Sequence, residues 1–147
     1  MNENSKILHL QIEAVQVATY CNIIKNILVK YRNLSIIKIA VFSFIIKKQE
    51  CLHIECYNAK NTNDLVLKAL SQIAGRYEEL CDQLPFIFQA LDLLIKNGVC
   101  DKHQNEIMCK LPINTKIMLQ KGFIFSAIEE SKTYTDRQFL KEVISIV

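Results

Sequence analysis

The amino-acid sequence predicts a single, mainly helical domain, and three features of length and composition lead to this prediction. The chain has 147 residues, which is a usual length for one domain. Half of the residues are hydrophobic and 22% are charged, so a core can form and a disordered protein is excluded. Only three glycines and two prolines occur, which disfavours a strand-rich fold with many tight turns.

The first predicted helix spans about residues 13–31. It has an apolar face and an opposite polar face at the 3.6-residue period of a helix. The preceding residues, 6–12, alternate enough for a short strand but also fit an early helical turn, and both alternatives stay open. The apolar face consists of Val17, Tyr20, Ile24, Ile27, Leu28 and Tyr31.

Ser35 predicts the start of a second helix, because serine is a favoured N-cap. Residues 36–46 are apolar nearly all round, apart from Lys38 and Ser43, and such a helix is buried in its own domain or against a partner. The many β-branched residues also suit a strand. The cap, the length and the terminal Lys47-Lys48 pair favour a helix that ends near these two lysines.

Residues 51–56 are expected to form a short strand or an irregular segment, and residues 58–63 a polar loop. A third helix is predicted from Asp64 to about Cys81, within which Gly75 marks either close packing or a break into two shorter helices. A fourth helix is predicted over residues 85–97, because Pro85 suits the first helical position and Gly98 the position just past the end.

Two short runs around the polar turn 103–105 predict a β-hairpin over residues 99–111. Helix, helix, helix and hairpin is the order of a winged helix. The sequence therefore predicts a mainly α fold with a winged-helix-like core over about residues 35–111. Residues 112–147 are expected to form a helical tail. Its weaker helical pieces lie around 115–121 and 135–146, with Thr135 or Asp136 as cap.

The fourth predicted helix is a poor DNA reader, although this is the helix that reads DNA in many winged-helix proteins. Its polar residues are Gln89, Asp92, Lys96 and Asn97, of which one is basic and one would repel phosphate. Its two phenylalanines, Phe86 and Phe88, suit a core or a protein interface better than a DNA surface.

The distribution of charge along the chain also disfavours nucleic-acid binding. Residues 1–48 carry a net charge of +5 and residues 49–147 a net charge of −2, which together give the +3 of the whole chain. The longest basic run is Lys47-Lys48, whereas nucleic-acid-binding proteins cluster Lys and Arg on one face. A solvated, mildly basic surface is the simpler interpretation.

The cysteine and histidine residues contain one weak candidate for zinc. Cys51, His53 and Cys56 are close in sequence, and Cys100, His103 and Cys109 follow. Thiolate and imidazole groups bind zinc, but this spacing is not a standard one and no CxxC motif occurs. Small buried thiols and a surface histidine are the favoured interpretation, so we expect no bound metal and no cofactor.

Catalytic motifs are missing from the sequence: it has no GxSxG, HExxH, Walker A or glycine-rich phosphate loop. The carboxylate pairs Glu78-Glu79 and Glu129-Glu130 are adjacent in sequence, and neighbours on a helix do not face each other. We therefore expect that the protein is not an enzyme, has no catalytic residue and takes no small-molecule substrate.

The expected location is the cytoplasm. The first six residues are not a basic stretch that leads into a long apolar one, so the sequence shows no secretory signal. Without export, the six cysteines are expected to be reduced. The most apolar segment, residues 36–46, is too short to span a membrane.

Four segments resemble the small middle components of bacterial three-component ABC-ATPase systems. These are residues 13–18 (EAVQVA), 22–28 (NIIKNIL), 34–44 (LSIIKIAVFSF) and 85–98 (PFIFQALDLLIKNG). The resemblance covers roughly residues 13–111 and consists of apolar helices and a helix that leads into a wing, with no catalytic signature.

The resemblance implies partners and a function. In such systems, Lamassu among them, the partners are an SMC-like or Rad50-like ATPase subunit and an effector subunit, and the complex acts against phage and plasmids. The chain would then be a non-catalytic adaptor that contacts DNA only weakly or indirectly. The alternative is a winged-helix DNA-binding transcriptional regulator, which would bind duplex DNA in a salt-sensitive way.

We predict that neither a disulfide nor zinc supports the fold. The melting temperature should be the same with and without a reductant or a chelator, because no standard zinc spacing and no export signal occur. Metal analysis and thermal melts check this. A stoichiometric amount of tightly bound zinc, or a large drop in melting temperature with chelator, would contradict it.

Overall fold

The structure is a computed structural model that describes residues 2–52, 64–116 and 122–147. The described residues form a mainly helical fold with a small antiparallel sheet, which confirms the predicted fold class. The elements in chain order are α1 (Glu3–Tyr31), β1 (Asn33–Ser35), α2 (Ile36–Leu52), α3 (Leu65–Ser71), α4 (Tyr77–Lys96), β2 (Cys100–His103), β3 (Glu106–Cys109), α5 (Phe123–Ser131) and α6 (Asp136–Ile146).

Helix α2 occupies the centre of the fold. Every residue from Ile39 to Ile46 is buried, and α2 contacts α1, α4, α5 and α6. The helix that is apolar nearly all round is thus buried within its own chain, as one of the two expectations had it. Phe42 and Phe139 of α6 pack with their ring centroids 5.5 Å apart.

The sheet has the strand order β1-β3-β2, with both pairs antiparallel. The hairpin β2–β3 confirms the predicted wing, whereas β1 was not predicted. Leu34 of β1 lies opposite Ile107 of β3 and both are buried, so burial of this pair accounts for a strand of only three residues. Ser35 ends β1, and its Oγ accepts a hydrogen bond from Lys38 N at 3.4 Å.

The third and fourth predicted helices have different bounds in the structure. The chain leaves the helical conformation after Ser71, and Gly75 has φ 71°, so the alternative of a break at Gly75 is confirmed. The start of a helix at Pro85 is wrong, since α4 begins at Tyr77 and contains Pro85. Buried Leu80 precedes the proline and buried Ile87 follows it, so core packing on both sides offsets a proline penalty of about 3 kcal/mol.

The end of α4 is as predicted. Gly98 has φ 74°, its N–H donates to Ile95 O at 3.1 Å, and Val99 N donates to Leu94 O at 3.0 Å. This pair of bonds is a Schellman motif, in which a left-handed glycine satisfies the last helical carbonyls. The motif directs the chain into β2.

Helices α1 and α2 are longer than predicted. Helix α1 begins at Glu3 with Asn2 as its N-cap, so residues 6–12 are helical. Helix α2 runs past Lys47-Lys48 to Leu52, so the short strand or irregular segment expected over residues 51–56 is wrong for its first two residues. The rest of that segment, the loop expected at 58–63 and residues 117–121 of the helical piece expected at 115–121 lie outside the described residues.

The C-terminal tail contributes side chains of α5 and α6 to the hydrophobic core. Helix α5, which was not predicted, buries Ile124, Phe125, Ala127 and Ile128 in the cluster that α1 to α4 build. Thr135 caps α6 as predicted: its hydroxyl accepts from Gln138 N, and the Gln138 side chain accepts from Thr135 N.

A buried lysine joins α2 to the turn before α6. The side chain of Lys38 is buried, and its Nζ donates to Tyr134 O at 2.6 Å. Burial lowers the pKa of Lys38, while Asp136 and Glu106 oppose this shift and favour the charged form. The ammonium group therefore has an acceptor and a partly compensating electrostatic environment.

We predict that Phe42→Asp unfolds the protein or abolishes its assembly. Phe42 is 0% exposed, and an unpaired buried carboxylate costs several kcal/mol, comparable with the whole stability of a domain, about 5–15 kcal/mol. Circular dichroism and thermal melting check this. Phe88→Asp is the matched control, because Phe88 is 47% exposed and should tolerate the change. A soluble Phe42→Asp variant with near-native melting would show that α2 is not the core.

Candidate docking surfaces

The outward face of α4 carries apolar residues where a DNA-reading helix would carry basic ones. Phe88 and Leu93 are 47% and 44% exposed on this face. Lys96 forms an ion pair with Asp92, Nζ to Oδ2, at 2.6 Å across one helical turn. The one lysine of the predicted recognition residues is thus paired with an acid, while Gln89 and Asn97 are exposed and neutral. This face is suited to protein better than to phosphate.

The wing adds little positive charge to that face. Lys102 and His103 of β2 are exposed, but Lys110 beside the hairpin contacts Asp101 at 3.2 Å. With both acids and bases on one short ribbon, the wing has no surplus of basic groups that would follow a phosphate backbone.

The candidate zinc ligands of the wing do not converge on one point. Cys100 and Cys109 face each other across β2 and β3, whereas His103, three residues after Cys100, points to the other side of the sheet. Among the described residues no group of three His, Cys, Asp or Glu side chains could hold a metal ion. His53 and Cys56 lie outside these residues, and the structure does not describe the side chain of Cys51.

One member of each carboxylate pair has structural contacts. Glu79 forms ion pairs with Lys48 and Arg76, and its hydrogen bond with Lys48 lowers the pKa of the Glu79 carboxyl. Glu130 Oε2 accepts from Leu65 N at 3.2 Å and so holds the start of α3. In these contacts each carboxylate holds two elements together.

A cavity of about 260 Å³ lies between α1, α2 and α4. Its lining groups already bond to one another: Lys47 Nζ donates to Gln16 Oε1 at 3.0 Å and to Gln83 Oε1 at 2.8 Å, and Tyr20 OH donates to the same Gln83 oxygen at 2.8 Å. The cavity is also smaller than the usual ligand pocket, roughly 300–1,000 Å³. We interpret it as a contact region in which hydrogen bonds connect three helices.

The first half of α1 projects from the core, and we call residues 3–16 the N-terminal arm. All large apolar side chains of the arm are at least half exposed, whereas Val17 and most apolar residues after it are buried. Soluble proteins rarely leave so much apolar surface together without a partner. The exposed residues are Ile7, Leu8, Leu10, Ile12 and Val15.

These apolar residues lie on two sides of the arm. At 3.6 residues per turn, Ile7, Leu10 and Ala14 form one stripe, and a second stripe lies about 130° away around the helix. The polar residues Lys6, His9, Glu13 and Gln16 occupy the wider interval between the stripes, and Asn4 and Gln11 the narrower one. The second stripe consists of Leu8, Ile12 and Val15.

The first stripe continues the buried side of α1. Spacings of three and four residues alternate without a break from Ile7 to Tyr31, which is the heptad pattern of a helix that packs along another helix. The later positions of this series pack in the core, while Ile7, Leu10 and Ala14 are exposed. The later positions are Val17, Cys21, Ile24, Leu28 and Tyr31.

A groove adjoins the first stripe where α1 meets α4. Its volume is about 560 Å³, and Leu10, Ala14 and Val17 of α1 and Leu93 of α4 are among the residues that line it. The small side chains of Ala14 and Ala18 leave room for an incoming helix to approach α1 closely. The groove thus joins the arm to the apolar face of α4.

Comparison of the chain with models of protein families, with curated proteins and with solved structures found no match. The resemblance of residues 13–111 to the middle components of ABC-ATPase systems stays a prediction. In the described parts of the chain, no helix is long and apolar enough to cross a membrane.

Sequence reasoning missed the arm because it began the first helix at Glu13. A signal was present: the heptad series that runs through Val17 and Ile24 extends back through Ala14 and Leu10 to Ile7. Alternation over residues 6–12 masked it, since apolar residues on two sides of a helix look like the period of a strand.

We predict that the isolated chain binds duplex DNA only weakly, with a Kd of about 10⁻⁴–10⁻⁶ M at physiological salt. The reason is the pairing of Lys96 with Asp92 and the apolar character of the α4 face. Fluorescence anisotropy with duplexes of several sequences checks this. Lys96→Glu and Lys102→Glu should change the affinity by only a few fold. Nanomolar, sequence-specific binding that Lys96→Glu removes would contradict it.

Proposed function

We propose that the protein is a non-catalytic adaptor that bridges an SMC-like ABC ATPase and an effector subunit in a cytoplasmic bacterial complex for defence against phage and plasmids. The N-terminal arm is the observation that carries this proposal. A bridge must contact two partners at once, and the arm offers apolar stripes on two sides of one projecting helix. The identity of the partners comes from the resemblance of residues 13–111.

Each stripe suits one partner. The stripe of Ile7, Leu10 and Ala14 has heptad spacing and borders the groove, which favours a helix of the coiled coil of the ATPase as its occupant. The second stripe, formed by Leu8, Ile12 and Val15, lies about 130° around the helix from the first. We assign this stripe to the effector. Loss of either stripe should then release one partner and keep the other.

Burial of each side chain of a stripe should make a measurable contribution to the binding of a partner. Full burial of one large aliphatic side chain contributes about 1.5–3 kcal/mol, and each of these is already partly buried, so removal of one costs about 1–2 kcal/mol of binding free energy. Since 1.4 kcal/mol is a tenfold change in Kd, truncation of one side chain to alanine should weaken a partner's binding about 5- to 30-fold. An aspartate there, which would have to be desolvated without a partner charge, should weaken it further.

The DNA-binding regulator is the weaker candidate. The helix order and the wing are compatible with it, but the α4 face has exposed Phe88 and Leu93 and a lysine paired with Asp92. A reader of DNA draws most of its affinity from phosphate contacts, which this face is poorly equipped to make.

We predict that Leu10→Asp and Val15→Asp separate the two partners of the adaptor. Co-expression with the genomic neighbours, followed by affinity purification, should show that Leu10→Asp loses the ATPase and Val15→Asp the effector. Ile144→Asp on α6 is the matched control, because Ile144 is 64% exposed, close to the 63% of Leu10 and the 66% of Val15, and lies far from the arm in the chain.

The purification has outcomes that would overturn the proposal. Retention of both partners in both arm variants would show that the arm is not the bridge. If the Ile144→Asp control also loses both partners, the losses in the arm variants reflect general insolubility and not a specific contact. Circular dichroism of each variant separates misfolding from loss of a contact.

A further inference from the structure

We propose that Cys100 and Cys109 are a redox modification site, at which a small-molecule disulfide such as oxidised glutathione converts the two thiols into a reversible cross-strand disulfide at the base of the wing. This inference is independent of the adaptor proposal, since it depends on the hairpin alone. The structure shows both residues as free thiols, the reduced form of the site.

The register of the hairpin brings the two cysteines together. Cys100 of β2 and Cys109 of β3 are direct Cα partners, and side chains directly opposite in a sheet lie on the same face. The next pair outward is hydrogen-bonded, with Lys110 N donating to Val99 O at 2.9 Å. Hydrogen-bonded and non-hydrogen-bonded pairs alternate in an antiparallel ladder, so the cysteine pair is of the non-hydrogen-bonded kind.

A pair of that kind has the right separation for a disulfide. Its Cα atoms are typically about 4.5 Å apart. Disulfides join residues whose Cα atoms are about 4.4–6.8 Å apart, so the bond forms without separation of the strands.

The different exposure of the two thiols sets the order of events. Cys109 is half-buried and Cys100 is fully buried, so the small disulfide reaches Cys109 first. The Cys109 thiolate attacks one sulfur of the disulfide, forms a mixed disulfide and releases one small-molecule thiolate. The Cys100 thiol then loses its proton to that released thiolate and attacks the Cys109 sulfur, which expels the second small-molecule thiolate. Counted from the two thiols, the protein loses two electrons to the oxidant and two protons: the Cys109 proton passes to water before the first attack and then to the second released thiolate, and the Cys100 proton passes to the first released thiolate.

Burial slows the second step at neutral pH. Desolvation, with smaller contributions from Cys109 and Asp101, raises the pKa of Cys100 to about 11, so this thiol is almost wholly protonated there. The rate of closure should therefore rise with pH through the range up to about 11, as the thiolate fraction of Cys100 grows.

The bond would lock the two strands of the wing together at their base. Strand β3 is the middle strand, and Cys109 N donates to Arg32 O at 2.7 Å just after α1. A covalent link from Cys109 to Cys100 ties β2 to the strand that β1 also holds. In the oxidised form, β2 could not separate from β3 at its base.

The sequence makes the link simple to map. The full-length protein is treated with oxidised glutathione, free thiols are blocked with N-ethylmaleimide, and the chain is cut after lysine for mass spectrometry. Cleavage after Lys96, Lys102 and Lys110 places Cys100 in the peptide 97–102 and Cys109 in the peptide 103–110. The expected result is a linked pair of these two peptides that dithiothreitol separates.

Cysteine variants distinguish this site from random oxidation. Cys100→Ser should stop at glutathione on Cys109, and Cys109→Ser should leave Cys100 unmodified. Cys81→Ser is the matched control and should retain the full yield of the link, since Cys81 lies on α4 and not in the hairpin. A stable glutathione adduct on Cys109 in the natural sequence, links from Cys100 or Cys109 to other cysteines, or no reaction of either thiol would each overturn the proposal.

Discussion

Burial of α2 on all sides is the constraint on which the rest of the structure depends. A helix that presents apolar side chains in every direction must be covered in every direction, and one layer of helices cannot do that. Helices α1 and α4, together with α5 and α6, contact α2, and residues 39–46 are all buried as a result. The short sheet beside them pairs β1, directly before α2, with the wing and so joins the two ends of the predicted core.

The elements that were predicted correctly carry their determinants locally. The hairpin follows from two short runs around a polar turn, the end of α4 from Gly98, and the start of α6 from Thr135 and Gln138. In each case a few adjacent residues satisfy backbone groups whatever the rest of the fold does. The central position of α2 was one of two expectations, because composition shows that a helix is buried but not by what.

The elements that were missed depend on residues far away in sequence. Strand β1 forms because Leu34 meets Ile107, and α4 continues through Pro85 because Leu80 and Ile87 are buried on both sides of it. Helix α5 begins at Phe123, after Gly122, which offers no side-chain cap, and is held by core contacts. The candidate zinc ligands could not be tested by spacing alone, since Cys100 and His103 turned out to lie on opposite faces of one strand. The arm was the largest omission.

The hydrogen bond from Lys38 to Tyr134 has a consequence for the chain's modularity. Lys38, in the first turn of the central helix, donates to the backbone carbonyl of Tyr134. That carbonyl is in position only when the turn before α6 has formed. Without this segment, the Lys38 ammonium group would lose that carbonyl and the favourable charge of Asp136, and the buried ring of Phe42 would lose its packing against Phe139. The wing-bearing half is therefore not a self-sufficient unit, and the final residues complete its interior.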